Sequence, residues 1–196
     1  MKKYCVIFVL LLAVAVQAKA QRTDQPWQVD LAAGLHSFYA PMESLKFKRP
    51  ELVATGAVHK LLHPKQLFSV GLQVGFARNN YQGDALFLQL MGQITPVIAD
   101  HIELGLGLGA GYRFAFYPST SQQWNGSEWR KGKAFKSIIQ VPVQLSIGYR
   151  SIKWQALEIR PYAAYQLQAL FGYNPDLSPL PVSNFLLGLK VHNYKK

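Results

Sequence analysis

From residue 27 onward, apolar residues occupy every second position in one run after another. In 101-HIELGLGLGAGYRFAFY-117, Ile102, Leu104, Leu106, Leu108, Ala110, Tyr112, Phe114 and Phe116 share one parity. Glu103, four glycines, Arg113 and Ala115 share the other. A period of two marks a β-strand whose two faces meet different surroundings. Phe68, Val70, Leu72, Val74 and Phe76 stand against Ser69, Gly71, Gln73, Gly75 and Ala77 in the same way. So do Phe135, Ile139, Val141, Val143, Leu145, Ile147 and Tyr149 against Lys136, Gln140, Gln144, Ser146, Gly148 and Arg150. The pattern predicts eight strands, at about 27–38, 51–61, 67–78, 85–96, 101–116, 135–149, 157–171 and 182–194. In the second, 52-LVATGAV-58 gives no clear parity, although Thr55 and His59 would share a face.

Most of these strands reach the roughly 9–11 residues that a tilted strand needs to cross a bilayer. The links between them are sorted by length. Residues 62–66, 97–100 and 150–156 are short links on one side; 39–50, 79–84, 117–134 and 172–181 are longer ones on the other. Short turns at one end and longer loops at the other are the signature of a transmembrane barrel, with the apolar face toward lipid and the polar face toward the lumen. An even strand number puts both termini at the short-turn, periplasmic end. The expected fold is all-β: an eight-stranded antiparallel transmembrane β-barrel with short periplasmic turns and longer extracellular loops.

This frame explains the glycines. The string 105-GLGLGA-110 fits the spacing of a dinucleotide-binding turn, but such a turn opens a helix, and here the alternation simply continues. Nine of the 15 glycines (34, 71, 75, 105, 107, 109, 111, 148 and 188) fall on the inferred lumen face. An eight-stranded barrel is only wide enough inside for side chains to fill it. Glycine there leaves room for long neighbours such as Arg113, Arg160 and Lys190.

The first 20 residues belong elsewhere. Lys2 and Lys3 precede the apolar run 5-CVIFVLLLAVAV-16, and 18-AKA-20 supplies small residues where a signal peptidase cuts. This order is that of a secretory signal peptide, too short to span a membrane as a helix. The domains expected are a signal peptide over 1–20 and a barrel over 21–196. Cys5, the only cysteine, leaves with the signal, so the mature chain forms no disulfide or cysteine metal site. Formal net charge is +11, and still +8 without Lys2, Lys3 and Lys19. No Lys/Arg run exceeds two residues and the chain is exported, so anionic lipid or glycan fits this charge and nucleic acid does not.

With signal, strands, sorted loops and aromatic strand ends assembled, the chain resembles the small eight-stranded outer-membrane proteins of the OmpA or OmpX type over 21–196. The resemblance rests on pattern, with no motif for a particular member. It implies residence in the bacterial outer membrane, and a role drawn from membrane anchors, adhesion or defence proteins and a few lipid-modifying enzymes. It also implies an outward aromatic residue at the chain end. Here Tyr194 shares the parity of Lys190 and His192, and two lysines follow it. Either the last strand stops at Val191 or this end is a variant.

Three groups of residues could carry chemistry. Trp27, Tyr149 and Trp154 toward the periplasmic side, and Phe38, Tyr39, Phe116, Tyr117, Phe135, Phe171 and Tyr173 toward the outer side, read as aromatic girdles. Asp30, Glu103, Arg113, Arg150, Glu158, Arg160 and Lys190 are expected to form a lumen charge network, because buried charge is tolerated only when paired. Lys190 would neighbour Asp30 once the barrel closes. Loops one and three are cationic, in 46-KFKR-49 and 124-WNGSEWRKGK-133. Lys46, Lys48, Arg49, Arg130, Lys131 and Lys133 suit the phosphates of lipopolysaccharide, with Trp124 and Trp129 resting on sugar or lipid.

Catalytic signals are thin. His36 and Ser37 are adjacent, and adjacent strand residues point to opposite faces. No metal-ligand spacing appears, and no cofactor is expected. The expected function is non-enzymatic: a closed barrel presenting cationic loops to lipopolysaccharide, an outer-membrane partner protein or a surface. A small channel and a lipid-modifying enzyme are the competing readings.

Overall fold

The computed structural model describes residues 27–37, 50–62, 67–80, 83–98, 101–119, 122–150, 152–154, 157–172 and 178–193. Among them there is no helix. Eight long strands follow one another: β1 (Trp27–Ser37), β2 (Glu51–Leu61), β3 (Phe68–Ala77), β4 (Ala85–Ile94), β5 (Ile102–Phe116), β6 (Phe135–Tyr149), β7 (Leu157–Phe171) and β8 (Leu180–Asn193). Each pairs antiparallel with the next, and β8 pairs back onto β1. The sheet is a closed barrel. The end holding the connections 62–67, 95–101 and 150–156 is called the turn end below, and the opposite one the loop end.

The closure is staggered. Straight across the ladder from Asp30, the partners are Ala57, Gln73, Gln89, Gly111, Gln140, Leu170 and Leu180, whereas β8 meets Asp30 at Lys190, 10 residues further on. Eight strands with this shear tilt by roughly 35–45° and enclose a lumen that side chains alone can fill.

Burial alternates along every strand. Outward Leu31, Leu52, Leu72, Leu90, Leu108, Leu145 and Leu187 expose 49–64 % of their surface. They belong to a continuous apolar girdle of a size that water-soluble proteins do not leave bare, so the girdle is a lipid-facing surface. Trp27 and Tyr149 at the turn end, and Phe116, Tyr117, Phe135 and Phe171 at the loop end, are exposed at its margins. Phe38, Tyr39 and Tyr173 lie outside the described residues, as does the side chain of Trp154. The second strand, ambiguous in its pattern, turns Val53, Thr55, Ala57, His59 and Leu61 inward and Leu52 and Val58 outward. Its inward face carries Val53 and Leu61, so apolarity alone could not identify it.

Strands β2, β6 and β7 cover the residues the alternation predicts. The expected fourth strand breaks at Thr95–Pro96, where proline supplies no N–H to the ladder. Val97–Ile98 then rejoins β5 opposite Glu103 and Ile102. The last strand starts at Leu180 rather than 182 and runs through Asn193. It therefore does not stop at Val191; Tyr194 lies outside the described residues, as does 1–26 with the expected signal. The link 117–134 is not all irregular. Gln122–Trp124 pairs with Trp129–Lys131 in a separate hairpin. Asn125-Gly126 is a turn signal in the sequence, and here it opens the four-residue loop 125–128 between the paired tryptophans.

The inward glycines are there for close approach. A Cβ at Gly111 would strike the Leu88 carbonyl oxygen on β4, and one at Gly75 would enter the Phe87 ring. Outward Gly92 is unconstrained, since its Cβ would have Leu108 O at 3.7 Å as nearest neighbour. Gly111→Val should destabilise the barrel by on the order of 3 kcal/mol, the upper end of overpacking effects, because the obstacle is backbone. Unheated electrophoresis in dodecyl sulfate separates compact from unfolded barrels. Gly92→Ala should run as the compact band and Gly111→Val should not; equal folding of the two would contradict the packing account.

Candidate functional site

Three layers of side chains cross the lumen. The layer at the turn end is ionic. Alternation brings Glu158 and Arg160 inward on β7 and Lys190 and His192 inward on β8, with Glu158 opposite His192 and Arg160 opposite Lys190. Glu103 enters from β5. Between Glu103 and Tyr162 in the register sits Gly148, whose missing Cβ keeps that stretch of wall low. Arg160 is the hub. Its Nη1 donates to Glu103 Oε2 at 3.1 Å, its Nη2 to Glu158 Oε2 at 3.0 Å and its Nε to Glu158 Oε1 at 3.0 Å. Lys190 Nζ donates to Glu103 Oε1 at 2.5 Å. His192 Nε2 lies 3.2 Å from Glu158 Oε2, and Arg150 Nε lies 3.4 Å from Glu158 Oε1. The side chains of Glu103, Glu158, Arg160 and Lys190 are 3–4 % exposed, whereas Arg150, at the mouth, is 23 % exposed.

Two expected members sit differently. Lys190 is the register neighbour of Asp30, but its ammonium reaches across to Glu103. Asp30 instead accepts a 2.5 Å hydrogen bond from Tyr162 Oη, and Lys190 Nζ stands 5.3 Å from the centre of that tyrosine ring. Arg113 is not among these ion pairs. It is buried nearer the loop end, where its Nη1 faces Gln168 Oε1 at 3.4 Å. Glu103 and Arg113 sit on one strand ten positions apart, about 33 Å along it, so they cannot share a layer.

The middle layer is made of amides, which a search for charges passes over. Gln89 Nε2 donates to Gln73 Oε1 at 2.5 Å, and Gln140 Nε2 to Gln89 Oε1 at 2.6 Å. Gln166 Nε2 donates to Gln144 Oε1 at 3.0 Å and, at 3.3 Å, to Gln73 Oε1. Gln166 Oε1 in turn accepts from Gln168 at 2.7 Å and Asn184 at 3.1 Å. The network links β3, β4, β6, β7 and β8 across the lumen. Its sequence signal is a glutamine at inward parity on each of β3, β4, β6 and β7. Toward the loop end, Ile138, Leu170 and Val182 form an apolar cluster, flanked by Ala115 and Leu180. A second cluster around Phe87, Tyr162 and Leu186 fills one side below it.

Outside the lumen, the loop-three hairpin holds the other candidates. Trp124 and Trp129 are paired across it, with ring centroids 5.5 Å apart, and are 51 % and 66 % exposed. Arg130 and Lys131 are exposed on its second strand and Lys133 follows, also exposed. Arg130 Nη2 lies 2.7 Å from Glu128 Oε1. Lys46, Lys48 and Arg49 of loop one lie outside the described residues. His36 and Ser37 are both buried, and His36 Nε2 meets the Arg78 carbonyl oxygen at 2.5 Å. Among the described residues no cluster of three or more His, Cys, Asp or Glu could hold a metal ion.

A closed eight-stranded antiparallel barrel with an apolar girdle and a polar, filled lumen has the fold of the small outer-membrane β-barrel proteins. The structure is similar to Neisserial surface protein A, with a TM-score of 0.53, 11% identity, and 88% of this chain and 98% of that one covered. It is also similar to Ail, the attachment invasion locus protein of Yersinia pestis, with a TM-score of 0.52, 12% identity, and 87% and 99% covered. No protein-family model and no curated protein sequence matches the chain.

Removing one partner of a buried ion pair leaves the other charge uncompensated and typically costs about 3–5 kcal/mol. Glu103→Ala strips Lys190 of its carboxylate and Arg160 of one of two. It should lower stability by about that amount in urea titrations of the lipid-embedded barrel. Arg150→Ala, at the wet mouth, should cost less than about 1 kcal/mol. Similar losses for both would show that the network is not a desolvated core.

Proposed function

We propose that this chain resides in the bacterial outer membrane as a shut barrel and works, without catalysis, at its loop end. The turn end and both termini face the periplasm, and residues 1–20 direct export and are removed. Loops one and three face outward, where Lys46, Lys48, Arg49, Arg130, Lys131 and Lys133 engage lipopolysaccharide phosphates. Trp124 and Trp129 contribute aromatic surface there.

The observation that carries this reading is the stacking of ionic, amide and apolar layers in one narrow lumen. Each layer draws side chains from several strands, which favours a filled lumen over an open one. At the turn end, Asp30, Glu103 and Glu158 are matched in formal charge by Arg150, Arg160 and Lys190, with Arg113 in a separate layer, and such a set serves a packed polar core without needing an ion in transit. The surface left for function is then the loop end, and its charge is positive. The phosphates of the outer leaflet are the nearest complementary groups, and guanidinium and ammonium groups bind phosphate by charge-assisted hydrogen bonds. An outer-membrane protein seated on the same loops is the alternative occupant.

Two measurements test the reading. Planar bilayers containing the pure protein should show no stable, reproducible conductance; a steady open pore would replace the shut barrel with a channel. Reversing Arg130, Lys131 and Lys133 to glutamate should weaken binding of purified lipopolysaccharide at least about tenfold, the size expected for losing charge-assisted contacts. Unchanged affinity would remove lipopolysaccharide as the ligand. Stoichiometric recovery of a protein with the gently extracted barrel would replace it by a partner.

A further inference from the structure

The loop-three hairpin is built as a platform. Strand alternation places Trp124 and Gln122 on one face, and opposite them Trp129 and Lys131, because Trp124 pairs with Trp129 and Gln122 with Lys131. Arg130 falls on the other face, beside the Glu128 carboxylate. One face therefore holds two tryptophans and an ammonium; the other holds a guanidinium already neighboured by an anion.

The tip is pre-organised. Asn125 Oδ1 accepts hydrogen bonds from Ser127 N at 3.0 Å and Glu128 N at 2.8 Å, and Asn125 N donates to Glu128 O at 3.2 Å. Gly126 takes φ of +102°, a conformation that suits glycine. An isolated two-stranded hairpin is marginal in water, and cross-strand aromatic pairing adds to its stability. Yet the pair leaves more than half of each tryptophan uncovered, which packing within the hairpin does not explain.

Position selects what covers them. The lipid-facing aromatics of this wall end at Phe116 and Phe135, whose rings stand 6.1 Å apart. The ladder continues through Tyr117 N to Ala134 O and then, past a break, into the hairpin. Phe116 pairs with Phe135, so the hairpin rises from the loop ends of β5 and β6, just past the aromatic margin. Trp124 lies eight residues beyond Phe116, a reach of up to roughly 25 Å at about 3.3 Å per residue. In the outward orientation proposed above, that reach carries the hairpin past the acyl chains toward the saccharide layer.

We infer that Trp124, Trp129 and Lys131 form a binding face for an acidic saccharide, specifically the phosphorylated core sugars of lipopolysaccharide in the same leaflet. The aliphatic C–H face of a pyranose covers the electron-rich indole faces, and Lys131 takes the phosphate. Gln122 offers its amide to ring hydroxyls. Arg130 is not part of this face. The assignment rests on the outward, lipopolysaccharide-facing orientation proposed above and names which part of that ligand is read.

The test uses the full mature barrel in lipid nanodiscs and calorimetric titration with a fully deacylated, phosphate-bearing core oligosaccharide. The same oligosaccharide after enzymatic dephosphorylation is the second probe. The phosphorylated form should bind, and the dephosphorylated form should bind about tenfold more weakly. Lys131→Gln should lose a similar factor for the phosphorylated probe and nothing for the other, while Arg130→Gln, on the opposite face, should lose a clearly smaller factor for the phosphorylated probe. Trp129→Ala should abolish binding of both; because it could also loosen the hairpin, Trp129→Tyr serves beside it and should retain binding. Equal losses from Lys131→Gln and Arg130→Gln would overturn the face assignment. Binding of intact lipopolysaccharide without binding of the deacylated probe would overturn the saccharide platform and leave the broader reading in place. Failure of both ligands would remove both.

Discussion

The constraint on which everything else depends is the lack of water beside the backbone in lipid. Each unpaired N–H or C=O there costs several kcal/mol, so a sheet can span a membrane only if it has no edge. The pairing of β8 with β1 meets that demand. With eight strands and a ten-residue stagger, the same closure sets the bore, and the bore sets what the inward positions can be. Glycine at 75 and 111 and large side chains such as Arg113, Phe87 and Met91 are two sides of one volume requirement.

The barrel therefore turns the usual arrangement of a protein inside out. Its apolar residues face outward, where they meet lipid at no penalty, and its interior is mainly polar. Hydrophobic collapse cannot organise such an interior, so direction has to come from hydrogen bonds and ion pairs. The amide layer suits this role because each glutamine both donates and accepts, as Gln89 and Gln166 do here. The ionic layer meets the same need with fewer groups of higher charge, and it sits at the turn end, where Arg150 remains in reach of water.

How much of this was legible in the sequence divides by physical cause. Strand positions are readable where lipid and lumen impose opposite chemistry on alternate residues, and β6 and β7 fall where that alternation puts them; β2 has the expected bounds, but its inward Val53 and Leu61 hide its faces. The residues lining the lumen were readable for the same reason. Their pairing was not. Alternation states that Asp30, Glu103, Arg113 and Lys190 point inward, but which of them meet depends on the shear, a property of the closed ring and of no single strand. Hence the Lys190 ammonium pairs with Glu103 although Asp30 is its register neighbour; the distance from Glu103 to Arg113, set along one strand, is readable from the sequence. The amide layer is not legible as a network, because neutral side chains announce no partner by sign. The strands of the loop-three hairpin are not legible either, since three residues are too short to establish a period, and only the turn at Asn125-Gly126 is signalled.

One contact at the turn end has a consequence for how the barrel is completed. The ion pairs of Glu103, Glu158, Arg160, Lys190 and His192 all lie on β5, β7 and β8, whereas Asp30 comes from β1, across the seam that closes the ring. A closure of β8 on β1 slipped by two residues keeps every side chain on its proper face, so neither the lipid girdle nor the backbone ladder opposes it. It does carry Asp30 about 6–7 Å along the wall, away from the Tyr162 hydroxyl that donates to it and from its register neighbour Lys190. The Asp30–Tyr162 bond thus acts as a vernier for assembly, telling apart neighbouring settings of the seam that the membrane itself treats as equal.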